Sequence, residues 1–138
     1  KSMNKLTAAL HQSKIEWALF CLRLGVFIVM AVWTLDKFIN PAHTAKVFEG
    51  FYLISGLDDT AFYLIGATQT VLVLAFLAGY KKRLSYGAVF LMHGISTVSS
   101  WHAYLDMKLL FFAAWPMLAA CFTLYLLRDL DVKFTIDK

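Results

Sequence analysis

The chain has 138 residues, which is about the size of one domain. Its hydrophobic fraction is 60% and its mean hydropathy is +0.65, whereas soluble domains are roughly 45–50% apolar. A soluble protein this small cannot bury so much apolar surface, so the composition indicates a membrane protein. The net charge is +4, but the basic residues form short clusters between apolar runs, which argues against binding to nucleic acid.

Four apolar runs predict the membrane-spanning segments, at about residues 15–35, 61–80, 84–101 and 109–127. Each run is long enough to cross ~30 Å of hydrocarbon as a helix. Backbone polar groups in lipid must be satisfied within the segment, so these runs are expected to be helical. We therefore predict an all-α fold, a single transmembrane domain over residues 1–138 that forms an integral membrane four-helix bundle. Pro116 is expected to kink the fourth helix.

The distribution of basic residues predicts the orientation of this bundle. The N-terminal arm, the turn Lys81–Arg83 and the C-terminal tail carry most of the lysines and arginines. In a four-span protein these three segments share one side of the membrane. The positive-inside rule then predicts that both termini lie in the cytoplasm and that the chain is a multi-pass protein of the cell inner (plasma) membrane.

The connection between the first two predicted helices contains one short apolar segment, residues 47–57. It is too short to span the bilayer, so we predict an amphipathic or re-entrant piece at the outer surface. Pro41 is suited to open this piece and Gly56 to close it. The sequence leaves open whether the piece enters the membrane or lies on it.

Three polar residues inside the predicted spans form the main candidate for a ligand site. Arg23, Gln69 and His93 lie ~12, ~16 and ~15 Å from the cytoplasmic ends of their runs, at 1.5 Å per residue. A buried arginine costs at least ~2.5 kcal/mol in hydrocarbon, so it is expected to find a partner. One hypothesis is a mid-membrane polar pocket that holds a quinone-like headgroup, an anion or a proton. In the alternative, Arg23 snorkels to the inner interface while Gln69 and His93 only bridge helices.

Other polar residues give weaker candidates. Asp36, Lys37 and His102 are polar candidates on the outer face, where solvated loop charges are the simpler interpretation. Their spacing fits no metal motif, and His93 alone does not indicate haem. Cys21 and Cys121 favour packing over a disulfide, because their side of the bilayer faces a reducing cytoplasm. No complete catalytic set is visible, so catalytic residues are unknown and enzymatic activity is undecided.

The layout resembles the DoxX-like family of small four-helix membrane proteins. The resemblance is carried by Arg23-Leu24-Gly25, Asp36-Lys37-Phe38, Leu77-Ala78-Gly79-Tyr80 and the basic turn Lys81-Lys82-Arg83, and it covers about Ile15 to Leu127. In one departure, Gln69 stands in the second span where the family often has glutamate, so a proton-handling role carried over from the family would lack that charge.

The resemblance implies a membrane subunit associated with a quinone-linked redox assembly, with a quinone as the expected small molecule. Two alternatives stay open from the residues alone. One is a structural or assembly subunit of a larger membrane complex with no ligand of its own, and the other is a small-solute transporter component. The expected partners are the lipid bilayer together with other membrane proteins or further copies of the chain.

Overall fold

The computed structural model describes residues 2–137, and the fold is all-α, as predicted, with no strand in this range. The elements are α1 (Ser2–Ile39), α2 (Pro41–Phe51), α3 (Asp59–Ala78), α4 (Lys82–Ser99), α5 (Trp101–Leu105), a 3-10 helix (Leu109–Ala113) and α6 (Ala114–Leu126).

Three helical segments of the described chain are long and apolar enough to cross a membrane. These segments are Met3–Ile39, Asp59–Ala78 and Leu109–Leu126. By length and composition they agree with three of the four predicted spans. The remaining run corresponds to α4, which has 18 residues but carries Lys82, Arg83 and His93 and is therefore less apolar. The fourth span stays a prediction.

Helix α1 is much longer than the apolar run that predicts it. Its 38 residues correspond to about 57 Å at 1.5 Å per residue, whereas the predicted span begins only at residue 15. Residues 2–14 include two leucines, two alanines and two lysines and contain neither glycine nor proline, so helix propensity favours a helix through them. The polar N-terminal arm is thus a helical extension of the first span.

The helices pack in a chain of antiparallel neighbours. Helix α1 packs mainly against α3, α3 contacts α4, and α4 packs mainly against α6, which also contacts α1. Gly66 of α3 permits a close approach to α1, because a Cβ there would lie 2.8 Å from the ring of Phe38. The buried core cluster is Leu19, Val26, Met30, Val73, Phe76, Tyr86, Val89, Cys121 and Leu124.

The predicted outer segment is part helix and part irregular chain. The Asn40 side chain caps α2 by accepting a hydrogen bond from the His43 N–H, and Pro41 is the first helical residue, which confirms the predicted start. The helix ends at Phe51, so the predicted closure at Gly56 is wrong. Helix α2 packs against α1 and α3, and Phe48 meets Phe62 of α3 with ring centroids 5.4 Å apart.

The fourth apolar run divides into two kinds of helix. A 3-10 turn occupies Leu109–Ala113, and α-helical geometry begins at Ala114. Pro116 is the third residue of α6, where a missing N–H breaks no intrahelical bond. The expected kink inside a long helix is therefore replaced by a change of helix type ahead of the proline.

Candidate functional site

The most completely buried polar feature of the described chain is an ion pair between α1 and the C-terminal tail. Arg23 Nη1 lies 2.6 Å from Asp131 Oδ1, and both side chains have 0% exposure. A partner for Arg23 is expected from the sequence, but the identity of that partner as Asp131 is a finding of the structure. This carboxylate supplies the negative charge that neither Gln69 nor a neutral His93 can supply.

Two residues of α4 complete the surroundings of this carboxylate. The Tyr86 hydroxyl donates to Asp131 Oδ2 at 2.6 Å, so both carboxylate oxygens accept a hydrogen bond from a buried donor. Lys82 Nζ donates to the Asp131 backbone carbonyl at 2.6 Å. We call Arg23, Lys82, Tyr86 and Asp131 the Asp131 cluster. It joins α1, α4 and the tail at one end of the bundle.

The tail beyond Asp131 is held down by further contacts with the same end of the bundle. Arg23 Nη2 donates to the carbonyl of Lys133 at 2.7 Å and approaches that of Phe134 at 3.4 Å. The Ile136 N–H donates to the Ala78 carbonyl at 2.7 Å, which ties the tail to the end of α3. The tail therefore covers the Arg23 guanidinium instead of extending into solvent.

Aromatic side chains seal the α1 side of the Asp131 cluster. The rings of Phe20 and Phe134 lie 4.9 Å apart, and Trp17 meets Phe134 at 6.3 Å. The ammonium of Lys133 lies 4.3 Å from the Trp17 ring centroid, within the range of a cation–π interaction. The Arg23–Asp131 ion pair at the centre of this cluster is therefore neutralised and shielded from solvent, unlike an exposed catalytic pair.

The structure does not join Arg23 to the two residues predicted to share its layer. Gln69 Nε2 lies 3.8 Å from Met92 Sδ, which links α3 to α4 weakly. His93 Nε2 lies 3.0 Å from the Ala114 carbonyl, which links α4 to α6. None of the hydrogen bonds of the described residues joins Arg23 to Gln69 or His93. These contacts match the alternative in which the two residues bridge helices, and a ligand-binding role for the three stays a prediction.

Gln69 nevertheless lines an open groove on the outer surface of the bundle. The groove lies between α3 and α4, has a volume of about 290 Å³ and is almost wholly apolar. Its lining residues are Leu64, Ile65, Thr68, Gln69, Leu72 and Met92. The Thr68 hydroxyl is occupied by its bond to the Leu64 carbonyl, so the weakly bonded Gln69 amide is the principal polar group available there.

The outer-face candidates have separate partners. Asp36 Oδ2 lies 2.6 Å from His43 Nδ1, which fastens α2 to the end of α1. Lys37 is buried and its Nζ reaches the Trp33 carbonyl at 3.4 Å. His102 is exposed on α5 beside Trp101, and no hydrogen bond or ion pair of the described residues joins it to Asp36 or Lys37. The three do not form one site.

Tyr104, two residues after His102 on α5, is held by a hydrogen bond to α4. The Tyr104 hydroxyl donates to the Thr97 carbonyl at 2.8 Å. Burial raises the pKa of Tyr104, so the hydroxyl keeps the proton that it donates. This bond ties α5 back to α4. Among residues 2–137, no group of three or more His, Cys, Asp or Glu side chains is arranged to hold a metal ion.

Sequence reasoning missed Asp131 and Tyr86 as site residues. Tyr86 lies near the start of the third predicted span and is one of the most deeply buried side chains. One signal could have found Asp131: an arginine near the inner end of a span needs an acid, and the tail that follows the last span on that side carries Asp129 and Asp131. Comparisons of the chain with protein-family models, with curated proteins and with solved structures find no match.

Proposed function

We propose that this chain is a structural or assembly subunit of a larger complex in the cell inner membrane, with four spans and both termini in the cytoplasm. In this proposal α4 is the fourth span, and its basic first turn lies at the inner interface. The observation that carries the proposal is the Asp131 cluster. The one arginine in the membrane-embedded half of α1 has its charge neutralised by the chain itself, so the cluster stabilises a fold and offers no open charge to a ligand.

Contacts of the tail support the proposed orientation. Four spans with both termini inside require that the inner end of α1, the α3–α4 turn and the tail lie together. The tail bonds to Arg23 and to Ala78, and Lys133 covers Trp17. These segments are also the most basic parts of the chain, which is the pattern expected of cytoplasmic loops.

Native purification tests the assembly role. The protein is extracted from its own membranes in mild detergent, and its mass, bound lipids and visible spectrum are recorded. An assembly subunit is expected to appear with a different membrane protein in fixed stoichiometry and without a chromophore or a stoichiometric quinone. Recovery of the chain with one bound quinone and no other protein would contradict the assembly role.

The Gln69 groove favours a second candidate, the quinone-linked redox subunit. Its volume is close to the lower end of the range for small-molecule sites, about 300 Å³, and its lining is apolar with one amide. An amide N–H can donate to a quinone carbonyl while the apolar walls contact the ring and tail. The third candidate, a small-solute transporter component, has less support, because Arg23, Gln69 and His93 each have a different partner.

The redox candidate has a matched pair of variants. Gln69→Leu removes the amide and is expected to abolish any quinone that co-purifies with the protein. Thr68→Val changes the same groove, but the hydroxyl it removes is already bonded to the Leu64 carbonyl, so quinone content should be kept. Equal loss in both variants, or no loss in either, would rule out recognition by Gln69.

A further inference from the structure

Two arginines at one end of the bundle have no acidic partner in the described chain. Arg83 lies in the first turn of α4, and Arg128 follows the last residue of α6 by two positions. Neither forms an ion pair with a carboxylate of residues 2–137. Asp129, the acid next to Arg128 in the sequence, instead lines a cavity of about 440 Å³ between the N-terminal arm and the tail. The two guanidinium charges are therefore not neutralised by the chain, unlike that of Arg23.

The packing of α4 against α6 determines where Arg83 lies. A Cβ at Gly87 of α4 would lie 3.3 Å from the ring of Tyr125 on α6. Farther along the same face of α4, Phe90 meets Phe122 with ring centroids 5.7 Å apart. Residues three and four positions apart share one face of a helix. Arg83 therefore lies on the face of α4 that packs against α6, one turn before Gly87.

Tyr125 holds Arg128 beside the same contact. Arg128 Nη1 donates to the Tyr125 carbonyl at 2.7 Å, and its guanidinium carbon lies 4.4 Å from the Tyr125 ring centroid, which is a cation–π distance. Because this ring lies against Gly87, the Arg128 guanidinium is held at the end of the α4–α6 contact. Arg83 is displaced from Gly87 by only about 6 Å along α4, at 1.5 Å per residue. Both arginine side chains can therefore reach one group of the size of a phosphate.

An exposed apolar surface of α6 adjoins this contact. Phe122 and Leu126 lie four residues apart and are 45% and 63% exposed. In the proposed topology this surface faces the inner leaflet, and the two arginines lie at the level of its headgroups. Guanidinium groups bind phosphate oxygens through paired, charge-assisted hydrogen bonds. Cations beside an apolar surface thus match the two parts of a phospholipid, and basic pockets between spanning helices on the cytoplasmic side recognise anionic headgroups.

We propose that Arg83 and Arg128 bind the phosphate of one anionic phospholipid of the inner leaflet, whose acyl chains lie along the α4–α6 surface. This inference rests on the proposed four-span topology. Charge complementarity selects an anionic lipid, because no carboxylate of the described chain pairs with either guanidinium. A zwitterionic lipid would bring a cation of its own to this site.

Binding of matched lipids to the purified protein tests this site. Native mass spectrometry in mild detergent compares phosphatidylglycerol with phosphatidylcholine of the same acyl chains. We expect one phosphatidylglycerol per chain to be retained with an affinity about tenfold higher than that of phosphatidylcholine, or more. Arg83→Gln with Arg128→Gln should remove this preference. Equal binding of the two lipids by the unmodified protein would overturn the proposal.

Lys5→Gln with Lys14→Gln is the matched control. These exposed lysines belong to the N-terminal arm, on the same side of the proposed membrane. The control therefore removes the same amount of charge without changing the α4–α6 surface, and it should keep the preference for phosphatidylglycerol. Equal losses in the two double variants would indicate attraction by net charge alone and would overturn the proposal.

A second pair of variants separates lipid recognition from an effect on the fold. In a Cys21→Ser background, protection of the buried Cys121 thiol from a maleimide reports whether the bundle is intact. If the glutamine pair loses this protection, Arg83→Lys with Arg128→Lys decides, because it keeps both charges and removes the paired donors. We expect it to bind phosphatidylglycerol several-fold more weakly than the unmodified protein. Undiminished binding would overturn the proposed guanidinium contacts.

Two further outcomes would assign the arginines to another ligand. Displacement of the bound lipid by inorganic phosphate would indicate a site for free phosphate. Loss of a co-purifying protein in the glutamine pair, with lipid binding unchanged, would indicate an acidic protein partner. Either result would overturn the lipid site. The four-span topology is tested separately by labelling cysteines in intact cells, so its failure and that of the lipid site are distinguishable.

Discussion

Asp131 is the residue that neutralises the buried charge of Arg23. A buried ion pair is stable only when its geometry is good and its remaining polar atoms are bonded. Here the carboxylate accepts hydrogen bonds from Arg23 and Tyr86, and the backbone carbonyl of Asp131 accepts one from Lys82. Arg23 Nε is buried without a hydrogen-bond partner among the described residues, so the guanidinium depends heavily on its two terminal nitrogens.

Asp131→Asn tests this dependence. It removes the negative charge and leaves the Arg23 cation buried, which is expected to lower the free energy of unfolding by about 3–5 kcal/mol. Unfolding in detergent can be followed by labelling of the buried Cys121 thiol in a Cys21→Ser background. Asp129→Asn, two residues earlier and exposed, should change stability by less than about 0.5 kcal/mol. Equal effects of the two changes would contradict the role given to Asp131.

The sequence predicts that burying the Arg23 charge costs free energy, but it does not identify the residue that neutralises this charge. An arginine eight residues into an apolar run is expensive wherever the chain places it. Which acid neutralises it depends on how the tail returns to the bundle, and the irregular chain after α6 has no periodic pattern from which this could be predicted. The similar depths of Gln69 and His93 do not predict contact with Arg23, because the depth of a residue along a helix does not specify which face of the helix carries its side chain.

The tail is the element whose placement most affects the candidate site. It crosses Gly79, the residue that ends α3 in a left-handed conformation with φ of 63°. A Cβ at this residue would collide with the side chain of Thr135. Glycine is therefore required here twice, for the backbone conformation and for the close approach of the tail.

Gly79→Ala is expected to loosen the tail. The left-handed conformation alone costs a residue with a Cβ roughly 1–2 kcal/mol, and crowding against Thr135 adds to it. Trypsin should then cleave after Lys133 several-fold faster in detergent solution. Gly25→Ala is the matched control, since a Cβ at Gly25 meets nothing within 4 Å and alanine favours a helix interior. If both variants were cleaved at the wild-type rate, the tail would not depend on Gly79.

Helix identity was more predictable than helix length. Apolar runs predict helices α1, α3 and α6 because a bilayer imposes both the composition and the length of a span. Hydropathy does not predict the helical arm of α1, because its helicity comes from local propensity and from continuity with the span that follows. The 3-10 turn before Ala114 likewise reflects local backbone geometry ahead of Pro116, which hydropathy does not report.

The whole molecule combines an apolar bundle with a polar fastening at its basic end. In the proposed topology the Asp131 cluster lies at the inner interface, where the tail and the α3–α4 turn meet α1. The outer end is fastened separately by the Asp36–His43 pair. The two ends thus differ in charge as well as in structure, and this asymmetry is what the positive-inside rule uses to orient a chain during insertion.

Labelling of single cysteines in intact cells tests this topology most directly. In a Cys21→Ser background, Lys81→Cys reports the α3–α4 turn and Lys108→Cys reports the connection that precedes the 3-10 helix; both residues are exposed. With a membrane-impermeant maleimide, we expect labelling of Lys108→Cys in intact cells and of Lys81→Cys only after permeabilisation. Labelling of Lys81→Cys from outside, or of both residues from the same side, would contradict the four-span bundle with both termini in the cytoplasm.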